Sequence, residues 1–237
     1  MFKHLNNEEK YKNQIIKTET NALARVSNSI KVTNKLLKNF DSRLELPSDD
    51  FRVHIPDANF RKYLEEEHYL VFFENTVAYR DVKNIPCILC GGFEIQSLEG
   101  LQYFVALTVL ICGENQLTSL ELSKNSALEV LECDRNQLKT IDVSANPNLV
   151  GLNCNCNELI SLNVSGNQAL TTLQCMGCQL TMLDISLNIA LTAVDCRSNN
   201  LTSLNLPNNH NWVEGWNLRI EGNPGTWWQD LKIDPEH

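Results

Sequence analysis

Residues 107–148 read LTVLICGENQLTSLELSKNSA (107–127) followed by LEVLECDRNQLKTIDVSANPN (128–148). Laid one over the other, the two stretches share the pattern L-x-x-L-x-C-x-x-N-x-L-x-x-L/I-x-L/V-x-x-N. The alignment continues: Cys112, Cys133, Cys154, Cys175 and Cys196 fall at intervals of 21 residues each time, giving five consecutive units that start at Leu107, Leu128, Leu149, Leu170 and Leu191. A fixed period of this length marks a stack of similar coils, each of which buries its apolar face only against its neighbours.

Each column of the pattern has a physical reading. In Leu110-x-Cys112 the alternation turns both side chains to one face of a short strand. Stacking the coils pairs these strands into a parallel sheet, and the interior columns then touch themselves from coil to coil. Cysteine serves in such a column as a small, nearly apolar filler. Asn115, Asn136, Asn157 and Asn199 form a column where the chain leaves the strand, with Cys178 in the same place. Backbone groups in a buried turn need partners, and a carboxamide that both donates and accepts can bridge adjacent coils. A second column, Asn125, Asn146, Asn167, Asn188 and Asn209, marks the opposite corner, with Ser123, Ser144, Ser165 and Ser186 two residues ahead of it. These read as turn-formers.

Working outward, Ile85–Ala106 is an earlier unit of 22 residues, with Ile85, Ile88, Cys90, Ile95 and Leu98 in the apolar places. The cysteine column therefore has six rungs, and Cys87 of the C-x-x-C pair is an outward or corner residue. A half-unit, Leu218-x-Ile220-x-x-Asn223, follows the last full one. The expected organisation is an N-terminal amphipathic helical segment (1–50), an N-terminal cap (51–84), the repeats (85–211) and a C-terminal half-repeat with a Trp-rich cap (212–237). The cap helix presents Phe60, Tyr63 and Leu64. The four tryptophans, Trp212, Trp216, Trp227 and Trp228, read as a cover for the last coil, or alternatively as an exposed aromatic patch. In the first segment Leu23, Val26, Ile30, Leu37 and Phe40 recur at helical spacing. That segment is an extra helix on the cap, or a docking or self-association helix, or a membrane attachment.

The 21-residue unit with a cysteine in its strand resembles the leucine-rich repeats of internalin-like bacterial proteins. The entry segment HIPDANFRKYLEEE (54–67), followed by IQSLEGLQYF (95–104), is similar to their N-terminal cap. The resemblance covers residues 51 to 225 and implies an α/β solenoid of short parallel strands with an N-terminal helical cap and preceding helices. It also implies a secreted or surface protein that binds other macromolecules. Such caps often carry an acidic, glycine-containing loop, but Val71–Asn84 has no D-x-D-x-D-G run and no calcium site is carried over. Relatives usually carry an export signal. Residues 1–17 are polar and charged, which places the chain in the cytosol if Met1 is the native start.

The net charge of −9, with 43% hydrophobic and 21% charged residues, argues against nucleic acid and against an anionic membrane surface. No catalytic motif appears, and the five histidines stand apart from any nucleophile or carboxylate pair. A line of stacked thiols suits neither a tetrahedral metal nor a disulfide, so the column is expected to be reduced and no cofactor or metal is expected. Cys156 and Cys178 lie outside the column, in adjacent coils near one turn. Accidental proximity is the first reading of that pair, and a reactive pair or adventitious metal site the second.

The function that remains is non-catalytic protein binding through the outward strand residues of the concave sheet. The candidate surface is Val109, Ile111, Val130, Glu132, Asp134, Asn153, Asn155, Thr172, Gln174, Met176, Asp195 and Arg197. Residues 107–211 contain nine Asp/Glu against four Lys/Arg, which favours a neutral or basic partner. A carbohydrate- or host-binding surface protein and a structural spacer in an assembly are the alternatives.

Overall fold

The structure, a computed structural model, describes residues 46–208 and 217–224. The helical segment expected before residue 46, the four tryptophans and Asn209 lie outside the described residues.

The chain enters through β1 (Arg52–His54), α1 (Ala58–His68), β2 (Thr76–Ala78) and α2 (Tyr79–Val82). The coils follow, with strands β3 (Cys87–Leu89), β4 (Val109–Ile111), β5 (Val130–Glu132), β6 (Gly151–Asn153), β7 (Thr172–Gln174), β8 (Met182–Asp184), β9 (Ala193–Asp195), β10 (Ser203–Asn205) and β11 (Leu218–Arg219). Seven of these form one parallel sheet in the order β3-β4-β5-β6-β7-β9-β11, so each coil adds one strand beside the last. Register is one-to-one: Leu110 faces Leu131, Leu131 faces Leu152, and Leu152 faces Leu173.

Alternation along each strand carries the core. Ile88, Leu110, Leu131, Leu152, Leu173 and Val194 point inward, and the six cysteines Cys90, Cys112, Cys133, Cys154, Cys175 and Cys196 follow two residues later, all buried. Each such leucine contributes about 2 kcal/mol by leaving water. The thiols are free. Burial pushes the Cys90 and Cys196 thiols up to about 12 and holds those of the four rungs between them well above the ordinary thiol value, so the column is uncharged at neutral pH.

The first asparagine column does what a bridging carboxamide can do. Asn136 accepts from the Leu117 amide at 2.9 Å through Oδ1, and its Nδ2 donates to the Cys112 and Cys133 carbonyls at 3.0 and 3.1 Å. Asn115, Asn157, Asn199 and Asn223 repeat the arrangement. Immediately before this column sits a left-handed residue in every coil: Gly92, Glu114, Arg135, Cys156, Gly177, Ser198 and Gly222. The second column is equally buried. Asn146 donates through Nδ2 to the Leu122 and Asn125 carbonyls, and Asn125, Asn167 and Asn188 do the same one coil away.

The cap closes the front of the stack through one carboxylate. Asp57 Oδ1 accepts from the Asn59 and Phe60 amides and starts α1, while its Oδ2 accepts from the Gln96 and Ser97 amides of the first coil. Phe60, Tyr63 and Leu64 then lie buried on the first coil, with the Phe60 ring 6.2 Å from that of Phe104. The buried Tyr63 hydroxyl accepts from the Leu89 amide at 2.7 Å, which fixes the edge strand β3. That burial pushes the phenol up to about 12.

Candidate functional site

The sheet presents one row of side chains in strict register away from the core: Leu89, Ile111, Glu132, Asn153, Gln174, Asp195 and Arg219. It changes character along its length. Leu89 is 48% exposed and Ile111 half-buried beside it, so the cap end is apolar. Glu132, Asn153 and Gln174 are half-buried and make the middle polar.

The next row, one turn further on, is tied to the first by side-chain hydrogen bonds. Asn153 Nδ2 donates to Asp134 Oδ1 at 3.2 Å, and Asn155 Nδ2 donates to Gln174 Oε1 at 3.2 Å. Asn155 Oδ1 accepts from the Met176 amide at 2.6 Å. Asp134 lies over Gly113, where a Cβ would come within 2.6 Å of its Oδ1. Partial burial pushes the Asp134 carboxyl up, against the pull of Arg135. The middle of the face is thus a connected set of carboxamides and carboxylates held by backbone and by one another.

No family model and no curated protein matches the chain. Among solved structures, the chain is similar to the functional domain of InlJ from Listeria monocytogenes, which includes a cysteine ladder: 28% identity, TM-score 0.61, over 75% of this chain and 44% of that one. The fold is a leucine-rich-repeat solenoid with a column of buried cysteines, similar to that of the internalins.

Fold-level likeness extends to the internalin InlF of Listeria monocytogenes, at 19% identity and TM-score 0.57 over 62% of this chain and 45% of that one. It also extends to the LRIM1/APL1C complex, at 25% identity and TM-score 0.54 over 61% and 28%. This cysteine-ladder protein spans less than half the length of the InlJ and InlF chains.

Three of the expected surface residues are not available on the sheet of this leucine-rich-repeat protein. Val109 is 1% exposed and Val130 9%, because Cys87, Val109 and Val130 stand opposite one another in successive strands and cover each other. Asp195 is 4% exposed, because Arg197 folds over it with Nε on Oδ1 at 2.9 Å and Nη2 on Oδ2 at 2.6 Å. Asp195 and Arg197 thus neutralise each other. Ile111, Glu132, Asp134, Asn153, Asn155, Thr172, Gln174, Met176 and Arg197 keep partial exposure. The expectation missed Leu89. Its signal was present in the outward place of the Cys90 rung, one residue before the cysteine, as Ile111 stands before Cys112.

Among the described residues, no group of three or more His, Cys, Asp or Glu side chains could hold a metal ion. Among the same residues, no helix is long and apolar enough to cross a membrane.

Proposed function

We propose that this chain is a non-catalytic module that holds a protein partner against its concave sheet. The observation that carries the reading is the graded row: exposed Leu89 and half-buried Ile111 at the cap end, then Glu132, Asn153 and Gln174 on a rigid parallel sheet. An apolar anchor beside a preorganised polar field suits a protein surface, since anchors supply most of the binding free energy and surrounding polar groups set register. Residues 107–211 carry nine Asp/Glu against four Lys/Arg. A neutral or basic partner segment is therefore favoured. The solved LRIM1/APL1C complex shows the same fold in an assembly of proteins.

The test is a capture experiment with two variants. One changes Ile111, Glu132, Asn153 and Gln174 together to lysine. The other changes Ile160 and Leu187, both exposed and outside the sheet, to lysine. Capture by wild type and by the second variant, lost in the first, supports concave-face binding. Equal capture by all three removes the concave face from the mechanism.

A further inference from the structure

The left-handed position before each ladder residue brings side chains of adjacent coils together. Arg135 meets the Glu114 carboxylate of the coil before it in this way. In the next coil the position belongs to Cys156, an exposed free thiol, and in the coil after that to Gly177. Gly177 has no side chain, and a Cβ there would stand 3.4 Å from Cys156 Sγ and 3.8 Å from Cys156 Cα. The Cys156 thiol therefore lies over the backbone of Gly177, whose next residue is Cys178.

Cys178 occupies the asparagine place of the ladder. Its Sγ donates to the Cys154 carbonyl at 3.4 Å and approaches the Met176 carbonyl at 3.9 Å. The sulfur is thus tucked against the turn of residues 154–159, and Cys156 is the outer residue of that turn. Coils spaced like neighbouring strands, with the two residues offset by one position, set the Cα atoms about 6 Å apart, within the range a disulfide spans. Cys156 is the exposed thiol; Cys178 and the six ladder thiols are buried.

We propose that Cys156 and Cys178 form a reversible dithiol–disulfide site that staples the coil of residues 149–169 to the coil of residues 170–190. The oxidant is a low-molecular-weight disulfide. The exposed Cys156 loses its proton and its thiolate attacks one sulfur of that disulfide. A mixed disulfide forms, and the departing thiolate takes up a proton. Cys178 then gives up its proton and attacks Cys156 Sγ, which releases the second small thiol. Two protein thiols are oxidised and one small disulfide is reduced to two thiols, so the electrons balance. Among the described residues no third ligand joins the pair, as a metal would need. The sequence places Glu158 between the two cysteines, which makes the bond easy to see.

The full chain is incubated with oxidised glutathione, blocked with iodoacetamide and cut without reduction by trypsin and a glutamate-specific protease. Cleavage after Lys139, Glu158 and Arg197 yields residues 140–158 and 159–197. The expected result is a joined species lighter than the sum of its parts by two hydrogens and separated by reductant. Cys156→Ser should give neither the joined species nor a glutathione adduct. Cys178→Asn restores the ladder carboxamide, so it should fold and stop at the adduct on Cys156. A wild-type chain that also stops at the adduct overturns the proposal. So does a joined species that persists in Cys178→Asn, since the bond would then run through a ladder cysteine.

Discussion

The two corners of each coil use the same residue at the same period and do different chemistry with it. At the strand exit, Asn136 spends both ends of its carboxamide: Oδ1 on the Leu117 amide, Nδ2 on the Cys112 and Cys133 carbonyls. At the opposite corner, Asn146 spends only Nδ2, on the Leu122 and Asn125 carbonyls, and its buried Oδ1 has no partner among the described residues. That corner is supported by a second device. Asp142 and Asp184, four residues before the column, accept from the Ser144 and Ser186 amides and close a local turn. A period in a sequence therefore does not imply a common bonding role. One column ties each coil to the one before it through both ends of the carboxamide, and the other shares its task with a turn.

The largest expected effect is at the first corner. Asn136→Ala leaves the buried Leu117 amide without a partner and takes one of two donors from the Cys112 and Cys133 carbonyls, which keep Asn115 and Asn157. At about 2 kcal/mol for the orphan and about 1 kcal/mol for each lost bond, the loss is about 4 kcal/mol. Denaturant unfolding with an unchanged slope measures it. Asn146→Ala removes donors from two carbonyls and costs nothing on the Oδ1 side, so about 2 kcal/mol is expected. Equal losses in the two variants would erase the difference between the corners.

Cys178→Asn sharpens the comparison from the other side. The weak S–H···O contacts of Cys178 give way to the carboxamide pattern seen at Asn157 and Asn199, and a gain of about 1 kcal/mol is expected. A thermal midpoint that falls would mean that this coil has adapted to the thiol.

The smallest effect is electrostatic. The Ser186 hydroxyl and amide, and then Asn205, hold the Asp184 carboxyl below its ordinary 3.8. A depressed carboxylate contributes stability that is present above the unfolded value and lost as pH falls through the folded one. Asp184→Asn should therefore flatten the acid side of the stability curve below pH 3.8 and leave neutral pH nearly unchanged. Because Asp184 is almost fully solvated, the change is small. An acid limb identical in wild type and variant would remove the charge from the second corner's account.

Most of the coil interior was legible in the residues themselves. A leucine and a cysteine two apart, repeated every 21 residues, leave one arrangement that buries both, and the ladder asparagines follow from the backbone groups such a stack must satisfy. The left-handed column was not legible. Its members, glycine, glutamate, arginine, cysteine and serine, share a backbone conformation and no side-chain property. Nor were β8 and β10, which pair in parallel where Ile185 donates to the Asn205 carbonyl and Asn205 to Asp184; the equivalent stretches of earlier coils form no strand.

The candidate face divides the same way. Which residues stand in the outward rows follows from strand alternation, a property of the chain alone. Whether a side chain in those rows meets solvent depends on its neighbours one coil away. Val109 is covered because Cys87 and Val130 flank it, Asp195 because Arg197 folds back on it, and Leu89 is open because β3 is the edge of the sheet. The sequence by itself determined the solenoid, its period and its interior, since burial and backbone satisfaction repeat with the residues. The tertiary structure alone decided which outward residues are covered, because that depends on contacts between residues about one period apart.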